Sequence, residues 1–130
     1  MSGATLDAGA LIALESGSPY MRELVRLAIA EGLPIAIPAG VLAQVWRASP
    51  RQARVAKLLG SPLVDVVPLD RSVALAVGKL CAETGAHDVV DASVVVCARR
   101  RRHSVVTSDP GDLQKLGPEL QLLDPCTGAT

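Results

Sequence analysis

A chain of 130 residues with 13 basic and 13 acidic side chains is one domain by default, and its zero net charge gives no overall attraction for nucleic acid. Hydrophobic residues make up 49% and aromatics only 2%, so the core is to be built from Val, Leu, Ile and Ala, which suits a parallel sheet covered on both faces and excludes an aromatic base-stacking platform. No apolar run is long enough to span a bilayer, MSGATLDAGA shows no signal-peptide pattern, and Cys81, Cys97 and Cys126 lack metal-ligand spacing, so the expectation is a cytoplasmic protein without membrane association.

The predicted elements alternate. Ala4 to Leu6 reads as a short strand ended by Asp7, and a helix follows from Gly9 to Glu15. Ser18 and Pro19 read as an N-cap and first-turn proline for a helix carrying Met21, Leu24, Val25 and Ala28, stopped at Gly32. PIAIP, 34 to 38, is a second strand. Val41, Leu42, Val45 and Trp46 give a helical face, broken at Ser49 and Pro50, and RQARVAKLLG, 51 to 60, is another helix. LVDVVP, 63 to 68, is a third strand; Asp70 caps a long helix ending at Gly85, and Asp88 to His103 is helical. Val105 to Thr107 is the fourth strand, Asp109 to Leu116 a short helix and LQLL, 120 to 123, the fifth strand. The chain is expected to form a single domain over 1–130, with a core over about 4–123 and a loose tail at 124–130. Strands alternating with helices build βαβ units, so the predicted fold class is α/β, a three-layer α/β/α sandwich around a small parallel sheet.

Ligands of open α/β sheets bind beyond the carboxyl ends of the strands, where strand order reverses. Asp7 directly follows the first strand, and Asp109 follows the fourth with only Ser108 between. Asp88 and Asp91 lie three apart at a helix start, hence on one face. Two readings stand side by side. Asp is a favoured N-cap, and each acid singly is explained by capping. Gathered at one place, the set is costly unless a cation neutralises it, and oxygen donors without His or Cys select Mg²⁺ or Mn²⁺.

TLDAGALIALE at 5–15, VLAQVWR at 41–47, DVVDASVVVCA at 88–98 and VVTSDPGDL at 105–113 together resemble the PIN domain, and in particular the VapC-type toxins of bacterial toxin–antitoxin pairs. The resemblance covers about residues 4 to 123. It implies an endoribonuclease dependent on Mg²⁺ or Mn²⁺, with Asp7, Asp91 and Asp109 holding the metal, Asp112 as an additional acid and Asp88 as a less certain neighbour. It also implies a cognate antitoxin and a homodimer. The family usually has Glu where this chain has Gln44. A glutamine offers a carbonyl oxygen but no charge, which puts a second metal in doubt. Thr107 and Ser108 are available to bond an acid or a metal-bound water, or to serve the turn alone.

Arg47, Arg51 and Arg54 share a side near Gln44 if the helix runs through or bends at Pro50, and would then grip RNA phosphates; Arg99 to Arg102 read more readily as a favourable charge at a helix end. Met21, Leu24, Leu27, Leu42 and Trp46 give more apolar surface than a small sheet needs, pointing to a dimer contact. The alternatives are a PIN fold with a degraded site acting as a non-catalytic RNA- or protein-binding module, which Gln44 favours, and a receiver-like signalling domain. Against the latter, strand 1 ends in one acid and no lysine follows a late strand.

Overall fold

In the computed structural model, which describes residues 2–130, five parallel strands form one sheet in the order β3-β2-β1-β4-β5. They are β1 (Ala4–Leu6), β2 (Ile35–Pro38), β3 (Val64–Val67), β4 (Ser104–Val106) and β5 (Leu122–Leu123). Seven helices connect them: α1 (Ala8–Glu15), α2 (Pro19–Glu31), α3 (Ala39–Val45), α4 (Ala53–Leu59), α5 (Arg71–Thr84), α6 (Val89–Arg101) and α7 (Pro110–Leu116). From β1 the chain steps outward through β2 to β3, then crosses back to β4 on the other side of β1. Strand order therefore reverses between β1 and β4, which pair in register from Ala4 with Ser104 to Leu6 with Val106.

The crossovers divide the helices into two groups. α1 packs with α2, α3 and α4, α6 packs with α5 and α7, and α3 touches α6 as well, joining the two groups. α6 also lies against β1 and β2, and every residue from Ala92 to Ala98 is buried. A helix apolar all round belongs in the middle of a layer, where α6 lies. The core is aliphatic, with Leu6, Leu11, Met21, Ile35, Ile37, Val94, Val95 and Val105 among its largest fully buried side chains.

Three expectations need correction. The helix 19–31 is as read, but Met21 is fully buried; Leu27 and Trp46 are the exposed members of that apolar set, and Leu24 and Leu42 are half-buried. The break read at Ser49 and Pro50 is present. α3 ends at Val45, Ala48 has φ +53, and Ser49 caps a 3-10 turn over Pro50–Gln52. The buried Gln52 closes this break: its amide donates to Val45 O at 2.8 Å and its Oε1 accepts from Arg47 N–H at 2.8 Å. A buried amide with both ends occupied holds such a kink firmly.

The fifth strand shrinks to two residues, and the tail is tied down. Asp124 accepts from the amides of Cys126 and Thr127 at 2.8 and 3.0 Å, Ser18 Oγ donates to Pro125 O at 2.7 Å, and Gly128 lies against the Tyr20 ring. Cys97 is buried, Cys81 half-buried and Cys126 exposed, all as free thiols. Among the described residues no helix is long and apolar enough to cross a membrane.

Candidate functional site

Asp7 and Asp109 follow the two strands that flank the reversal point. Asp7 is buried, and its backbone N–H donates to Val106 O, locking the end of β1 to β4. Its carboxylate caps α1 by accepting from Ala10 N–H at 3.0 Å. Burial pushes this carboxyl above its ordinary range, while the Thr107 hydroxyl and the Ala10 and Gly9 amides pull it back. Thr107 is buried and works on both sides of the crevice: it touches Asp7, and its Oγ1 accepts from Asp109 N–H at 2.9 Å.

The two turns meet almost without clearance. A Cβ added at Gly9 would overlap Ser108 Oγ and lie 2.8 Å from Ser108 Cβ. Glycine at this position is what lets the β1–α1 turn approach the β4–α7 turn.

Asp88 caps α6, accepting from Asp91 N–H at 3.0 Å. Asp91 stands in the first turn of α6, partly buried, and its carboxyl is pushed up to about 6 by burial and then by the charges of Asp88, Asp109, Asp112 and Asp7. All five sequence-read acids thus fall within one electrostatic neighbourhood. Asp109 begins α7 but makes no capping hydrogen bond to it. Its carboxyl is raised chiefly by the neighbouring Asp112 charge, and the Asp112 amide eases this without completing a cap. Capping thus accounts for Asp7 and Asp88 but leaves the side chains of Asp91, Asp109 and Asp112 unexplained.

The donor set is carboxylate oxygen with hydroxyls beside it, which fits a hard divalent cation. Among the described residues, no three His, Cys, Asp or Glu side chains already converge at ligating distance.

Gln44 is exposed on the face of α3 that carries Gly40, one turn earlier, and Gly40 faces Val90 of α6. None of the hydrogen bonds among Asp7, Asp88, Asp91, Thr107 and Asp109 involves its amide. The arginines are scattered by the break after Val45. Arg47 donates to Ala43 O and Trp46 O at 3.1 and 2.7 Å, closing the end of α3. Arg54 donates to Glu15 O at 3.2 Å, and Arg51 is exposed. The second basic run is largely engaged: Arg99 pairs with Glu119, Arg101 with Asp65 at 2.8 Å, and Arg100 donates to Ser72 Oγ at 3.2 Å.

Sequence reasoning undervalued Thr107 and did not single out Gly9. The signal for Thr107 was its place as the last residue before a strand-end acid. Gly9 is legible only once β1 and β4 are known to be neighbours.

A family model described as the PIN domain matches residues 4–117. A search of curated proteins by sequence finds no match. Among solved structures, the chain is similar to VapBC2 from Rickettsia felis bound to a promoter DNA fragment, with TM-score 0.71, 16% identity, and coverage of 93% of this chain and 97% of the other. It is also similar to DNA-bound VapBC from Salmonella typhimurium, with TM-score 0.71, 20% identity and coverage of 97% and 100%. A toxin–antitoxin complex from Klebsiella pneumoniae gives TM-score 0.68, 19% identity and coverage of 95% and 98%. At such identities the structural likeness is one of fold; the match over most of the sequence is what shows that the chain belongs to the PIN domain family.

Proposed function

We propose that this PIN-domain protein is an endoribonuclease dependent on Mg²⁺ or Mn²⁺ and acts as the toxin of a toxin–antitoxin pair. The observation that carries the reading is the gathering of Asp7, Asp91, Asp109 and Asp112 at the point where strand order reverses. On this reading Asp7, Asp91 and Asp109 hold the ion, Asp112 adds a fourth carboxylate, and Asp88 and Ser108 stand beside them. When bound, such an ion supplies an acidified water and offsets the charge of the scissile phosphate. The chain's own contribution is orientation. The α1 cap fixes the Asp7 carboxylate, and Thr107 ties the Asp7 and Asp109 turns together. Asp109, free of a cap, is the acid best able to turn toward a ligand.

The partners follow from the same reading. The substrate is single-stranded RNA, with the exposed Arg51 and the rims near Arg47 and Arg54 contacting its phosphates. A cognate antitoxin is the protein partner, in keeping with the likeness to a toxin–antitoxin complex, and the negative charge of the crevice calls for a basic side chain of that partner over it. The chain pairs as a homodimer through exposed apolar residues such as Leu27 and Trp46 and works in the cytoplasm. A second reading, a PIN fold kept as a non-catalytic binding module, is favoured by Gln44, an uncharged residue in place of the usual Glu.

The test is cleavage of a labelled single-stranded RNA with Mn²⁺. The parent cuts and Asp109→Asn does not. Gln44→Glu tightens Mn²⁺ binding and raises the rate. A parent that binds RNA but leaves it intact at every Mn²⁺ concentration supports the binding module instead.

A further inference from the structure

Beyond the acidic centre, between the start of α6 and α7, lies a crevice of about 300 Å³. His87, Asp88 and Asp91 line it from the start of α6, and Asp112 and Lys115 line it from α7. Lys115 lies three residues past Asp112, so both occupy one face of α7. Among the described residues, the ion pairs are Arg26 with Glu23, Arg99 with Glu119 and Arg101 with Asp65, and Lys115 is in none of them. Lys115 thus shares the crevice with three acids without forming an ion pair with any of them, and it is exposed, available to an anion from outside. The guanidinium groups of the nearby basic run Arg99, Arg100 and Arg101 are already engaged with groups of the protein.

We infer that this crevice seats the sugar–phosphate unit next to the cut, with Lys115 holding its phosphate and His87 closing the opposite rim. The inference rests on the nuclease reading above and gives it a polarity: the strand leaves the acidic centre along α7, away from the kink after Val45. A strand approaching a carboxylate cluster needs a cation of its own at the flanking phosphate. A lysine contributes there as a point charge, without reading sequence.

The experiment uses the full chain carrying Asp109→Asn, with fluorescence anisotropy of a labelled single-stranded RNA over a salt series in Mn²⁺. Adding Lys115→Gln should weaken binding about tenfold and reduce the slope of log affinity against log salt by about 0.7, the loss of one single-strand phosphate contact. Lys115→Arg should restore both. His87→Gln should weaken binding by a smaller factor. Unchanged affinity and slope in Lys115→Gln overturn the inference. So does a variant that binds Mn²⁺ more tightly with RNA affinity unaltered, because Lys115 is then only a counter-charge to the acids. The nuclease reading fails separately, if Asp109→Asn alone cleaves RNA at the parental rate.

Discussion

The two ends of the sheet bury polar groups in opposite ways. Toward the amino ends of the strands, Thr5 Oγ1 lies 3.0 Å from His103 Nδ1 and 3.7 Å from Cys97 Sγ, and Ser104 Oγ donates to Gln121 Oε1 at 2.7 Å. These groups are neutral at pH 7. Burial, then the Arg101 charge, pushes His103 below its usual value, and burial pushes the Cys97 thiol up. At the carboxyl ends, Asp7, Asp91, Asp109 and Asp112 crowd together: burial and then neighbouring carboxylates hold the Asp7 and Asp91 carboxyls high, and the Asp112 charge raises that of Asp109. Among the described residues no buried side-chain nitrogen or oxygen lacks a partner, so the ends differ in charge and not in satisfaction. A neutral network with its partners in place stabilises, whereas like charges held together are a standing cost to the fold. The cost at one end is intelligible if an outside cation relieves it.

The largest expected effect breaks the quiet end. Gly3 has φ +144, and a Cβ there would lie 2.5 Å from His103 Nε2 and 2.6 Å from Pro34 O. Gly3→Ala should cost about 3 kcal/mol, combining backbone strain with overpacking, and lower the melting temperature by about 10 °C. Calorimetric melting checks this, and RNA cleavage below the melt should persist. The corresponding change at the acidic end, Gly9→Ala, should cost about 1–3 kcal/mol as the Ser108 turn is pushed away. It should also abolish cleavage well below its melting temperature. Adding Ser108→Gly removes the nearest clashing atoms and should recover part of both losses.

Next comes a change that should stabilise. Asp91→Asn should raise the stability of metal-free protein at pH 8 by about 1 kcal/mol, the shift being discounted for the exposed part of the side chain. The Asp91 carboxyl titrates near 6 in the folded protein, above its unfolded value. Its charge therefore opposes folding above pH 6, and that penalty fades as pH falls toward 4. His103 acts in the opposite sense: held neutral by the fold, it loses stability as pH drops below its ordinary range. Denaturant melts of parent and variant from pH 4 to 8 isolate the Asp91 contribution, because His103 is common to both.

The smallest effect separates capping from chemistry. Asp7→Ala should lose about 1 kcal/mol with its cap, while Asp109→Ala, which has no cap to lose, should change stability by less than about 0.5 kcal/mol. Both should abolish cleavage.

Much of this was legible from sequence because its signals are local. Ser18 with Pro19, Asp70 and Asp88 marked helix starts that the chain uses as caps. The apolar run after Asp91 announced a buried helix, and alternation of elements implied the parallel sheet that brings Asp7 and Asp109 side by side. What escaped depends on distant partners. Gln52 holds the kink after Val45 from seven residues away, and nothing local distinguishes it from a surface glutamine. The tail is held by Ser18 and Tyr20, more than a hundred residues earlier. Lys115 stands out only once α7 is seen beside the start of α6.

The most direct test of the central claim, that the carboxylates are held together for a divalent ion, is calorimetric titration of the protein with Mn²⁺ at pH 6 and pH 8 in buffers of different ionisation heat. With Asp91 titrating near 6, saturable binding at pH 6 should release about half a proton per ion from that carboxyl, and release should fall toward zero at pH 8. Asp91→Asn should bind more weakly and release fewer protons at pH 6. Saturable binding that is the same in parent and Asp91→Asn, or no saturable binding at either pH, would contradict the account.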